Sequence, residues 1–143
     1  MAITQGMANS FKVQLLNGQH NFSSNTFKLA LYQSSATLGE GTTAYTTSGE
    51  CPSTGNYTAG GNTLTVNVTP TNTGNVAYVS FANTSWTDAT ITANGALIYN
   101  SSFGNAAVAV LAFGGDKTST NGTFAVNFPT ADASTAIIRL TAS

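Results

Sequence analysis

From Thr26 onward, apolar and polar residues alternate with a period of two in one short run after another. Phe27, Leu29 and Leu31 alternate with Lys28, Ala30 and Tyr32. Leu64, Val66 and Val68 alternate with Thr65 and Asn67, Ala77, Val79 and Phe81 with Tyr78 and Ser80, and Phe124, Val126 and Phe128 with Ala125 and Asn127. Side chains of a strand point to opposite faces in turn, so each run predicts a strand with one buried face and one wet face. Two runs, Ala96 to Tyr99 and Ala106 to Phe113, are apolar throughout and predict central strands covered on both faces; Ile137 to Leu140 predicts a short last one. Turn residues stand between the runs at Gly60-Gly61, Asn72-Thr73-Gly74, Asn94-Gly95, Gly104-Asn105, Gly114-Gly115 and Asn121-Gly122. Many short strands without intervening helical patterns predict an all-β fold, an antiparallel β-sandwich or a jelly-roll-like barrel.

The first 25 residues read differently. Met7, Phe11 and Leu15 are spaced by four, with Ala8 and Leu16 beside them, and Gly18 follows as a stop. This predicts a short helix over 7–17. A helix of that length is marginal alone and must dock on its own domain or on a neighbour. Residues 1–25 are therefore expected to form an N-terminal arm, and 26–143 a single β domain. Within that domain the stretch 37–61 lacks periodicity and contains Gly39, Gly41, Gly49, Pro52 and Gly55, so it is expected as a long irregular excursion of the kind that makes contacts. A chain of this size buries roughly 68–70% of its unfolded surface and needs no disulfide staples.

Charge narrows the functional classes. Only 6% of the 143 residues are Asp, Glu, Lys or Arg, against ~25% in an ordinary domain. Polarity comes instead from Thr, Ser, Asn, Gly and Gln, which suit strands and turns better than helix. Lys12, Lys28, Lys117 and Arg139 are too scattered to form a basic patch, which argues against direct nucleic-acid binding. Near-neutrality instead permits dense packing of many copies. The N-terminus has no basic segment followed by an apolar one, and no run of 18 apolar residues occurs. The expectation is a chain made in a cytoplasm, with no secretory signal and no membrane partner.

Catalytic chemistry is poorly supplied. His20 and Cys51 each occur once, so a zinc site has no ligand spacing and no internal disulfide can form. No G-x-S-x-G elbow places a nucleophile. Gly114-Gly115-Asp116-Lys117-Thr118 lacks the spacing of a phosphate loop and reads as a hairpin loop. Asp88, Asp116 and Asp132 lie in turn-like contexts, where Asp binds its own backbone. The sequons at Asn21, Asn56, Asn67, Asn83, Asn100 and Asn121 match what chance gives in a chain this rich in Asn, Ser and Thr. The expectation is a non-enzyme with no cofactor and no metal. Trp86 reads first as a core residue closing one end of the sandwich. Exposed, it and tyrosines such as Tyr45 and Tyr57 would stack on sugar rings or anchor a protein interface. The candidate interface residues are Phe11, Leu15, Leu16 and His20 of the arm, with Tyr45, Tyr57 and Trp86.

Several stretches also carry a family likeness. They are Ala2-Ile3-Thr4-Gln5, Ser10-Phe11-Lys12 through Leu16, Gly18, His20-Asn21-Phe22, Thr26 through Tyr32, Ser34 through Leu38, and Thr58 through Leu64. Gly95-Ala96-Leu97-Ile98-Tyr99-Asn100, Ala107 to Phe113, Asp116-Lys117-Thr118-Ser119, Phe128 through Ala133 and Ile137-Ile138-Arg139 continue it. Over nearly its whole length the chain resembles a family of small virion structural proteins of tailed bacteriophages, common in phages of aquatic bacteria and cyanobacteria. One departure is Asn94, where the pattern calls for a basic residue before Gly95. The resemblance implies many copies on a virion. The leading expectation is a capsid decoration, or cement, protein on the capsid exterior. It would be a homo-oligomer, such as a trimer, bridging subunits of the major capsid protein. A tail or tail-fibre-associated structural protein and a carbohydrate-binding surface module are the alternatives.

Overall fold

In the computed structural model, which describes residues 2–141, the chain opens with a two-residue strand, β1 (Gly6–Met7), and one helix, α1 (Asn9–Leu16). The remaining strands are β2 (Phe27–Tyr32), β3 (Asn62–Thr63), β4 (Val66–Thr73), β5 (Val76–Phe81), β6 (Thr84–Asn100), β7 (Ala106–Val126) and β8 (Ile138–Thr141). They form a five-stranded sheet in the order β1-β7-β6-β2-β3 and a three-stranded sheet in the order β4-β5-β8, antiparallel throughout. The protein is an all-β sandwich with one short helix, as the alternation predicts.

The two sheets meet through aromatic rings. Phe27 of β2 packs 5.9 Å from Phe81 of β5, and Phe22, in the loop before β2, contacts both. All three are buried, and each such ring contributes about 1.5–3 kcal/mol by leaving water. Alternation puts Phe27, Leu29 and Leu31 on one face of β2, yet Ala30 and Tyr32 are buried as well. The excursion between β2 and β3 covers that second face, with Tyr45 stacked on Tyr99, the register partner of Lys28. Ala96 to Tyr99 and Ala106 to Leu111 are buried, as their apolar runs predict, whereas Ala112 and Phe113, expected to be covered on both faces, are only partly buried because the run ends at the bulge.

The β6–β7 hairpin corrects three of the expected turns. Gly104-Asn105 does lie in the connection, but Asn94-Gly95, Gly114-Gly115 and Asn121-Gly122 lie inside the paired strands. The expected hairpin loop at 114–118 is instead a bulge. Ala93 pairs with Lys117 while Gly95 pairs with Ala112, so β7 carries extra residues there. Gly114 and Gly115 take φ of 77° and 154°, and Asn94 Nδ2 donates to Asp116 Oδ1 at 3.0 Å across the irregularity. Positive φ serves a bulge as readily as a turn. Gly95 is demanded by crowding: a Cβ there would lie 2.5 Å from the Leu111 carbonyl oxygen and 2.7 Å from Ile3.

The N-terminal residues are not a separate arm. Ala8 and Phe11 are fully buried, the Ala8 amide donates to Val108 O, and Ile3 bridges Leu38. Met7, expected in the helix, pairs with Ala109 as a strand residue instead. The helix ends where the sequence says it should. Gly18, at φ 72°, donates to Leu15 O while Gln19 donates to Gln14 O, a Schellman stop. Residues 37–61 form no helix or strand of their own and are tied down by single bridges, among them Tyr32 to Glu50 and Ala44 to Ala106.

Candidate functional site

Burial sorts the candidate residues sharply. Phe11, His20, Tyr57 and Trp86 are 0%, 6%, 1% and 2% exposed, so they belong to this chain's own core and offer no surface to a partner. Trp86 sits against Tyr57 and Phe124, with ring centroids 5.4 and 6.3 Å away. Both of its flanks are occupied, which takes away the stacking ring that sugar binding would use. Tyr45 is half-buried on Tyr99. Leu15 is half-buried and Leu16 is 90% exposed.

The tyrosines serve an internal carboxylate. Glu50 Oε2 accepts from the Tyr57 hydroxyl at 2.7 Å and from the Gly60 amide at 2.6 Å, while Oε1 accepts from the Tyr45 hydroxyl. Tyr99 closes the group by donating to Gly60 O at 2.6 Å. Burial, reinforced by hydrogen bonds to Glu50, pushes the Tyr45 and Tyr57 hydroxyls far above their ordinary range; burial alone leads the rise of Tyr99 to about 12. These hydroxyls remain protonated donors, and the cluster pins the excursion onto β2 and β6. Cys51, next in the chain, donates its Sγ–H to Thr92 O, and burial raises its thiol to about 12. A thiol so desolvated supplies no thiolate at neutral pH. Among the described residues, no three His, Cys, Asp or Glu side chains converge to hold a metal, and no helix is long and apolar enough to cross a membrane.

An apolar groove lies open between the end of the helix and the small sheet. Leu15 and the loop after α1 face Val79 of β5 and Ile138 and Leu140 of β8 across an open groove of about 320 Å³, with Phe22 at its base. Leu140 is 46% exposed; Leu16, at 90%, and Val13, at 61%, are exposed helix residues outside the groove lining. Leu15, Val79, Ile138 and Leu140 give the groove an apolar lining. A wider depression of about 560 Å³ between residues 2–4 and 37–46 is lined mainly by threonines and glycines and lacks this character. The sequence pattern points to Leu15 and Leu16 but not to Leu140, Ile138 or Val13. Leu140 alternates with Ile138 as any half-buried strand residue would, and only the neighbouring elements leave it open.

No protein-family model matches the chain, and comparison with the curated proteins and with the solved structures gave no match.

Proposed function

We propose that this protein is a non-enzymatic virion structural protein, a capsid decoration or cement protein that binds the major capsid protein on the capsid exterior. The observation that carries the reading is the apolar groove with its exposed leucines, set in a surface almost without charge. Leu16 and Leu140 supply desolvation energy to a protein partner. The surrounding Thr, Asn and Ser form hydrogen bonds and let identical copies sit side by side with little repulsion. The resemblance to phage virion proteins supplies the partner. Repetition on a shell adds avidity to a modest single contact.

Binding to undecorated capsids tests this. Removing residues 1–17 would take Phe11 out of the core, so single surface substitutions are the sound probe. Leu16→Glu changes folding stability by about 0.5 kcal/mol or less, as surface substitutions do, and Leu140→Glu, at a half-buried strand position, is used with its denaturation midpoint measured alongside. Each is expected to weaken capsid binding at least tenfold, about 1.4 kcal/mol. Undiminished binding of both variants removes the groove from the reading. Recovery of the protein with tails after head and tail fractionation removes the capsid location.

A further inference from the structure

His20 is the one histidine of the chain, and it is buried four residues beyond the helix. Its Nε2 lies 2.8 Å from Gln14 Oε1 and its Nδ1 lies 3.0 Å from Asn100 Nδ2. One arrangement of protons satisfies the whole network. The Ser102 amide can only donate, and it donates to Asn100 Oδ1 at 2.9 Å, which turns the Asn100 NH₂ toward the ring. Of its two hydrogens, one goes to Asn25 Oδ1 at 2.9 Å and the other to His20 Nδ1. Nδ1 is therefore bare, the neutral ring carries its proton on Nε2, and that proton goes to Gln14. The ring packs among Phe11, Phe27 and Phe103, with centroids 4.9, 6.4 and 5.5 Å away, and His20 also lines the groove.

We propose that His20 is a pH-operated clasp that holds the helical segment 9–25 on the sheet and lets it loosen when the ring takes a second proton. That proton can go only to Nδ1, where it meets the Asn100 NH₂, donor against donor. Asn100 cannot offer its oxygen instead without giving up both Ser102 and Asn25. Among the described residues, no carboxylate is placed against the ring to compensate the new charge. Of the elements around it, α1 brings Lys12, β2 Lys28 and Tyr32, β5 Tyr78, β7 Asp116 and Lys117, and β8 Arg139, while β4 and residues 101–105 bring no ionisable group; the Tyr32 hydroxyl is committed to Thr46 O, and Asp116 accepts from Asn94 at the bulge. Asp88 and Tyr99 are the ionisable groups of β6; Asp88 lies at the far end of that strand, and the Tyr99 hydroxyl is committed to Gly60. Glu40 packs beside Gly6 and Asn9, at the opposite end of the helix.

Burial moves the ring in the same direction, lowering its pKa from the ordinary 6.5. The folded ring thus binds a proton less readily than the ring of a released segment. The clasp is whole above pH 6.5 and weakens as the pH falls from there to the folded pKa; below that it weakens no further. Within the window, each pH unit multiplies the loosened population by up to about tenfold. An eight-residue helix does not persist without its docking contacts. The segment stays tethered by β1 and β2, so it opens as a flap that draws Phe22 off Phe27 and takes away one wall of the groove. This inference stands independently of the proposed function.

The test is an NMR titration of the single histidine, paired with amide hydrogen-exchange protection factors over pH 4–8. The expected result is a ring pKa below 6.5, with amides of Asn17, Gly18 and Gln19 losing up to about tenfold protection per pH unit in the window. Amides of Ala96 to Tyr99, which open only by global unfolding, should stay better protected than the helix amides at every pH. Helix protection that stays flat through the ring titration overturns the clasp, and so do helix amides as highly protected as the β6 amides, which would open only by global unfolding. His20→Gln can still accept from Asn100 but cannot titrate, and its helix protection is expected to be independent of pH. Asn100→Asp gives the charged ring a carboxylate acceptor and should reverse the sign, protecting the helix in acid. A wild-type slope persisting in His20→Gln overturns the proposal, and the wild-type titration decides it should either variant fail to fold.

Discussion

Phe22 stacks on Phe27 with ring centroids 4.5 Å apart and planes 4° from parallel, and both rings touch Phe81 of the opposite sheet. One residue outside any strand thus joins the N-terminal segment, the large sheet and the small sheet. Phe22→Ala removes that joint and leaves a cavity that the three partners cannot jointly fill. It is expected to cost about 3–5 kcal/mol in chemical denaturation, whereas Leu16→Ala on the exposed helix face should change stability by about 0.5 kcal/mol or less.

Two glycines with similar backbone angles should respond very differently. Gly18 at φ 72° has open space around a would-be Cβ, so Gly18→Ala carries only the left-handed strain of about 1–2 kcal/mol. Gly61 at φ 80° has the Leu29 carbonyl oxygen 1.7 Å from that position, and Gly61→Ala must push β3 off β2. A midpoint shift for Gly61→Ala no larger than that for Gly18→Ala would contradict this packing.

Glu50 is the single acceptor for two tyrosine hydroxyls and the Gly60 amide. Glu50→Ala strands all three donors in a part-buried site. Each such orphan costs about 1–3 kcal/mol where water cannot reach it. We expect a loss of about 2–4 kcal/mol, together with faster proteolysis within 44–61, the stretch the carboxylate holds down. Glu50→Gln retains one amide oxygen and should lose less.

Asn94 occupies the position where the resembled family pattern has a basic residue, and its amide donates to Asp116 Oδ1. Asn94→Lys would convert this bond into an exposed ion pair. The stability gain should be under about 1 kcal/mol and should vanish in high salt. A gain that survives 1 M salt would mean the pair is better shielded than its exposure implies.

The turn residues show where reading along the chain stops being enough. Gly104-Asn105 and Gly114-Gly115 carry the same local signal, freedom to adopt positive φ, yet one closes a hairpin and the other bulges within a strand. Which outcome follows depends on the partner strand opposite, and β6 runs past Ala93 without a break. Trp86 and Leu16 make the same point for the candidate interface. Both are large apolar residues, but Tyr57 and Phe124 close over the first and nothing among the described residues closes over the second.

The amino-acid sequence by itself determined the period-two strands, the buried runs at 96–99 and 106–111, the Gly18 stop and the near-absence of charge. These follow from local chemistry: side-chain alternation, left-handed glycine and composition act over a few residues and need no partner. Only the tertiary structure decided that the N-terminal segment is core rather than arm, that His20 is locked between Gln14 and Asn100, and that Leu140 meets Leu15 across a groove. Each of these depends on residues far apart in the chain coming within a few ångströms, and burial and hydrogen-bond completion exist only once they have.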